Sequence, residues 1–238
     1  MMNKNQIEKE IDEAVGSIKE EQSWLLTYAD MMTLLFAFFV LLFSLSTIDP
    51  VKISQLQDGM GDQPELKSFN AITEDFQDIV EELNIEDQAK VSRDPRGVTL
   101  EIDGDICFES GSTNIHSTLQ KVLNLGAEKI FNQAGDPRLI IVEGHTDADQ
   151  IPKQLQTIFP TNWELSSARA SKVVNYLIDI GVNSGKLQAS GYADRWPASL
   201  TWFEVRSGTV NDSVIFANNK SIEQKKANRR IKIVFSDN

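Results

Sequence analysis

The chain has 238 residues, with 23 Lys and Arg against 35 Asp and Glu, for a formal net charge of −12. That balance argues against general nucleic-acid binding, which needs cations to neutralise phosphates. A mean hydropathy of −0.26 argues against a polytopic membrane protein, and a single cysteine, Cys107, excludes an internal disulfide. Cys107 stands between Ile106 and Phe108 and reads as a buried structural thiol.

Residues 1–22 form a polar tail with three lysines and six acidic residues. A secretory signal would start basic and carry a short apolar core. Instead, residues 23–48 make an apolar run long enough to cross a bilayer, which takes about 20 residues. The run reads as a retained membrane helix with Trp24 and Tyr28 as interfacial aromatics. Between Glu21 and Asp49 its one charge is Asp30. An ionised carboxylate in hydrocarbon costs at least about 2.5–3.5 kcal/mol, so it is kept where it is paired, wetted or carries an ion. Asp30 lies about 9 Å along the helix from Trp24, and Thr33, Ala37 and Ser44 fall near its face. A helix-pairing carboxylate and an ion carrier both fit that stripe. A single span encloses no pore, so ion carriage requires a multi-span partner.

Residues 49–95 form a polar connector. Val51, Ile53 and Leu56 make a weak amphipathic stretch, followed by a breaker cluster at 58–64. Phe69, Ile72, Phe76, Ile79, Val80 and Leu83 then recur at helical spacing. A folded domain is expected over 96–238. GVTLEI (97–102) alternates as a strand, residues 116–131 place Leu119, Val122, Leu123 and Ile130 on one helical face, and RLIIVEG (138–144) reads as a buried strand. Residues 166–181 form a helix with Ser166 as N-cap, a stripe of Ala170, Val173, Val174 and Leu177, and Gly181 as the stop. KLQASGY (186–192) and RRIKIVF (229–235) add two strands. This alternation predicts an α/β (α+β) sandwich with helices on one sheet face. His145 and Asp147 form an H-x-D, but with His116 the only other histidine no metal site is expected. No nucleophilic triad or phosphate loop appears, so no enzyme activity is expected.

SWLLTYADMMTLLFAFFVLLFSLSTID resembles the membrane helix of MotB-type stator subunits, including PomB and MotS. The resemblance implies that Asp30 is the coupling carboxylate for transported H+ or Na+, with Thr33 a sodium ligand or a local hydrogen-bonding group. It implies a homodimer inside a ring of MotA-type multi-span subunits, and a plug in the connector, placed at 51–60. VEGHTD (142–147), NWELSSARA (162–170) and NRRIKI (228–233) together resemble the OmpA-like peptidoglycan-binding domain. That resemblance implies a pocket for diaminopimelate, with Asp147 on its ammonium and Arg169 on its carboxylate, and helix N-terminal amides adding a favourable field. Thr146, Asn162, Leu165 and Arg230 would support the pocket. Lys19 and Lys52 leave the charge rule for orientation tied. The wall-binding domain implies a single-pass inner-membrane protein with the N-terminus cytoplasmic and residues 49–238 periplasmic. A flagellar motor is the commonest setting; a Zorya-type anti-phage motor and a passive wall tether are the alternatives. Between Gly191 and Asn228 lie 36 residues, an insertion before the last strand read as a lid, a dimer contact or a surface loop. The basic run 225–232 is expected to be a solvated approach to that strand.

Overall fold

The computed structural model describes residues 24–42, 66–109 and 112–236, and the chain divides into two compact units at Asp49. The expectations for the tail, Ser44 and the plug at 51–60 lie outside the described residues. In the first unit, α1 (Trp24–Leu42) is a helix of 19 residues with mean hydropathy 2.0. Its length is about 28 Å, close to the hydrocarbon thickness of a bilayer. Trp24 and Tyr28 sit one turn apart with ring centroids 6.4 Å from each other.

The second unit begins its core earlier than residue 96. In α2 (Phe69–Glu82), the Ser68 side chain accepts from the Ala71 amide at the N-cap, and Phe69, Ile72, Phe76, Ile79 and Val80 are buried. All five belong to the hydrophobic core, so the helix expected in the connector is part of the domain. Lys67 fixes its start by donating to Asp75 on the helix (2.7 Å) and to the Lys129 carbonyl (2.9 Å).

Five strands follow: β1 (Ala89–Asp94), β2 (Gly97–Asp103), β3 (Leu139–His145), β4 (Leu187–Gly191) and β5 (Arg230–Ser236). Their order is β1-β2-β5-β3-β4; β3 and β4 run parallel, and the other neighbours are antiparallel. β1 was not anticipated. It is an edge strand with sequence AKVSRD, whose apolar alternation stops after Ala89 and Val91 and is too short to announce it. The turn into β2 needs Gly97, whose φ is +146° and where a Cβ would stand 2.1 Å from the Phe235 carbonyl oxygen.

The helices are α3 (Gly104–Cys107), α4 (Ser117–Gly126), α5 (Asn162–Asp179) and, within the insertion, α6 (Trp202–Arg206), α7 (Asp212–Ala217) and α8 (Ile222–Asn228). α4 widens into a π-helical turn over Ala127–Phe131. α5 starts at Asn162 because Thr161 caps it and Glu164 returns the bond to the Thr161 amide. Ser166 is therefore inside the helix and not its cap. Gly181, at φ +93°, ends it as expected. Cys107 is free and fully buried, and burial pushes its thiol pKa up.

Strand parity divides the sheet. Leu100, Ile102, Ile140, Val142, Ile231, Ile233 and Phe235 enter the core with α2, α4 and α5. The alternate positions Glu101, Glu143, His145, Arg230 and Lys232 make a polar opposite face. Four of these are buried, and Glu101 is largely so. The insertion covers that face. Trp196, 3% exposed, stacks under Arg96 at 5.4 Å and Lys232 at 5.1 Å. Tyr192 lies flat on the His145 ring at 5.4 Å. Arg96 pairs with both Glu143 and Asp94, Lys232 with Asp94 and Glu101, and Arg230 with Glu101.

Burial and the Arg230 charge push the His145 pKa down to about 4, against the attraction of Glu143 and Glu101. Above pH 6.5 both folded and unfolded chains hold the imidazole neutral. Between pH 6.5 and about 4 only the unfolded chain takes the proton, so stability falls as pH falls through that window. The loss is about 3 kcal/mol. Thermal unfolding at pH 7 and pH 4.5 checks this: His145→Gln should remove most of the pH 6.5–4.5 dependence.

Candidate functional site

On α1, Asp30, Thr33 and Ala37 fall within a narrow arc, since positions three and seven residues on return to the same face. Thr33 donates its hydroxyl to the Asp30 carbonyl at 2.8 Å. Asp30 is the helix's one charge.

The second constellation forms where β3 ends and α5 begins. Two glycines let these elements meet. A Cβ on Gly144 would lie 2.1 Å from the Ser166 carbonyl oxygen, and one on Gly191 would lie 2.2 Å from the Ser167 hydroxyl. With no side chain there, the first turns of α5 rest directly on the ends of β3 and β4. Ser166 fastens the joint by accepting from the Ala193 amide at 3.1 Å. Thr146 is buried, and its amide bonds to the Ala193 carbonyl at 2.8 Å.

Asp147 emerges from this joint. Its Oδ2 accepts from Arg229 Nη1 at 2.8 Å and its Oδ1 from the Asp149 amide at 3.2 Å. Asn162 donates to the Asp147 and Asp149 carbonyls, both at 3.1 Å, and so shapes the loop. Leu165 is buried one turn further along. Arg169 stacks on Phe108 at 5.0 Å, with Nε donating to the Ser112 carbonyl at 3.2 Å. Its Nη groups have no protein acceptor among the described residues. Burial lowers the Arg169 pKa, opposed by Asp147 and Asp105 and reinforced by Arg229. These charges therefore share one neighbourhood. A partly desolvated guanidinium with unspent donors suits a carboxylate ligand. The Asp147 carboxylate, with about four acceptor directions, keeps room for an ammonium.

Arg230 does not join this group. It is 5% exposed and donates from both Nη atoms to the Trp196 carbonyl at 3.2 Å. Its neighbour Arg229 meets Asp147, and also Asp105 at 3.5 Å. The parity of Ile231, Ile233 and Phe235 was the available signal: Arg229 shares their helix-side face, Arg230 the opposite one. The basic run is also not simply solvated. Lys225 pairs with Asp149 at 2.7 Å and Lys226 with Asp103 at 3.2 Å. His145 faces Tyr192 and Trp196 on the polar side of the sheet, whereas the Asp147 side chain meets Arg229.

Comparison with known proteins agrees with both halves. Residues 8–63 match the family described as membrane MotB of the proton-channel complex MotA/MotB, and residues 107–206 match the OmpA family. The uncharacterised protein YtxE of Bacillus subtilis (strain 168) is 33% identical over 245 residues, spanning 92% of this chain and 91% of that one. Motility protein B of the same organism is 26% identical over 263 residues, spanning 90% of each. A MotB-like protein of Desulfovibrio vulgaris has the same fold, with a TM-score of 0.56 at 19% identity over 71% of this chain and 94% of its own. The chain belongs to the MotB family: it is a MotB-type stator subunit in which a membrane-length helix precedes an OmpA-like domain.

Proposed function

We propose that this chain conducts H+ or Na+ through Asp30, in company with a ring of MotA-type subunits, and holds the complex to peptidoglycan through the Asp147–Arg169 pocket. The protein works as a homodimer in the bacterial inner membrane, with its N-terminus cytoplasmic and the OmpA-like domain periplasmic. The observation that carries the reading is Asp30, the one charge on a membrane-length helix. A fixed carboxylate there is costly unless it is paired, wetted or visited by an ion, and moving one charge through 100 mV yields about 2.3 kcal/mol. Ser-Thr-type oxygen at Thr33 and the small Ala37 keep that face narrow and polar. Wall attachment gives the work a fixed frame: Arg169 offers donors to a carboxylate while Asp147 faces an ammonium, the two groups that end a diaminopimelate side chain.

The test is ion flux in vesicles carrying this chain with its MotA-type partner. Asp30→Asn is expected to abolish flux while retention on purified sacculi stays at the wild-type level. Flux that survives Asp30→Asn, with wall retention intact, overturns the reading of Asp30 as the coupling carboxylate. Repeating the wild-type measurement with and without sodium, at fixed proton-motive force, identifies the ion.

A further inference from the structure

The insertion between β4 and β5 reaches the loop that carries Asp147. The Ala148 amide, next to Asp147, donates to Asn219 Oδ1 at 3.0 Å. Asn219 is 7% exposed, and its own amide donates to the Ile215 carbonyl at 2.9 Å. The same Oδ1 accepts from Asn228 Nδ2 at 3.0 Å. Asn228 holds the rest of the insertion by donating to the Asn218 carbonyl (2.9 Å) and accepting from the Ala198 amide (2.8 Å). Lys225 grips the following carboxylate, Asp149, through both oxygens at 2.7 and 3.0 Å.

Residues 147–149 are thus held from two sides. Asn162 of α5 takes their carbonyls, and the insertion takes the Ala148 amide and the Asp149 side chain. Pinning the Ala148 amide fixes the peptide plane that follows Asp147, and so the direction in which that carboxylate leaves the backbone. A carboxylate held in place before a ligand arrives has less ordering cost on binding.

We propose that Asn219 is a positioning residue for the wall-peptide pocket: through the Ala148 amide it sets the Asp147 carboxylate for the ligand ammonium. The insertion is then one wall of the pocket, and neither a lid nor a free surface loop. This rests on the pocket assignment made under the proposed function.

The experiment uses the full chain in detergent micelles and a soluble tripeptide ending in diaminopimelate, with Kd measured by calorimetry. Asn219→Ala should weaken binding about tenfold, the scale of one lost hydrogen bond, and speed exchange of the Ala148 amide. In an Asp147→Asn background, Asn219→Ala should add no further loss, because its effect passes through that carboxylate. A wild-type Kd for Asn219→Ala overturns the proposal, as does a full independent loss in the Asp147→Asn background. If Asp147→Asn alone leaves Kd unchanged, the pocket assignment itself fails and the inference falls with it.

Discussion

Arg169→Ala is expected to lower affinity for a diaminopimelate-bearing wall peptide by about 2–3 kcal/mol, or roughly 30- to 150-fold in Kd. Among the described residues Arg169 spends one donor, on the Ser112 carbonyl, and its guanidinium lies 5.0 Å over the Phe108 ring. This leaves the fork of Nη groups for the ligand carboxylate. Lysine in its place should recover little, since an ammonium lacks the fork that meets a carboxylate bidentately. Asp147→Ala should weaken binding comparably. It would also release Arg229, which retains Asp105 as a partner, so the fold should survive. Retention on purified sacculi, with thermal unfolding run alongside, separates a lost ligand contact from a lost fold.

Arg96→Met carries the largest expected cost to stability, about 3–5 kcal/mol at pH 7. Glu143 is fully buried in the middle of the sheet. Burial alone would raise its carboxyl pKa, but the contacts with His145 and Arg96 hold it down at about 2. His145 is neutral at pH 7, so Arg96 supplies the compensating charge. Without it, an ionised Glu143 is left beside the neutral His145 ring and the Tyr192 hydroxyl, with no other cation paired to it among the described residues. The folded-state pKa should then rise above the unfolded value near 4.5. A group raised in the folded state costs stability as pH rises through the unfolded value. The penalty of Arg96→Met, measured by denaturant unfolding, should therefore be largest at pH 7 and shrink towards pH 4. A penalty independent of pH would mean that the lost guanidinium packing on Trp196 matters and the charge does not.

Much of this architecture was legible because it repeats locally. The apolar spacing of α2 and the alternation of GVTLEI need no distant partner to be read. The membrane helix declares itself by length, and Asp30 by contrast with its surroundings. What escaped depends on pairings across the chain. β1 is an edge strand that gains its register only from β2. The apolar stripe of α5 points to a start at Ser166, whereas the reciprocal cap of Thr161 and Glu164 sets the start at Asn162. The tandem Arg229 and Arg230 differ by one residue, and one residue in a strand reverses the face. Asn219 reaches Ala148 across 71 positions, and no periodicity reveals such a contact.

The most direct measurement is the structure of the domain with a bound wall peptide ending in diaminopimelate. The ligand ammonium should lie against Asp147, and its carboxylate should bridge the Nη groups of Arg169, with Arg229 shared between Asp147 and Asp105. A peptide found elsewhere on the domain, with Asp147 and Arg169 left as they stand, would contradict the account.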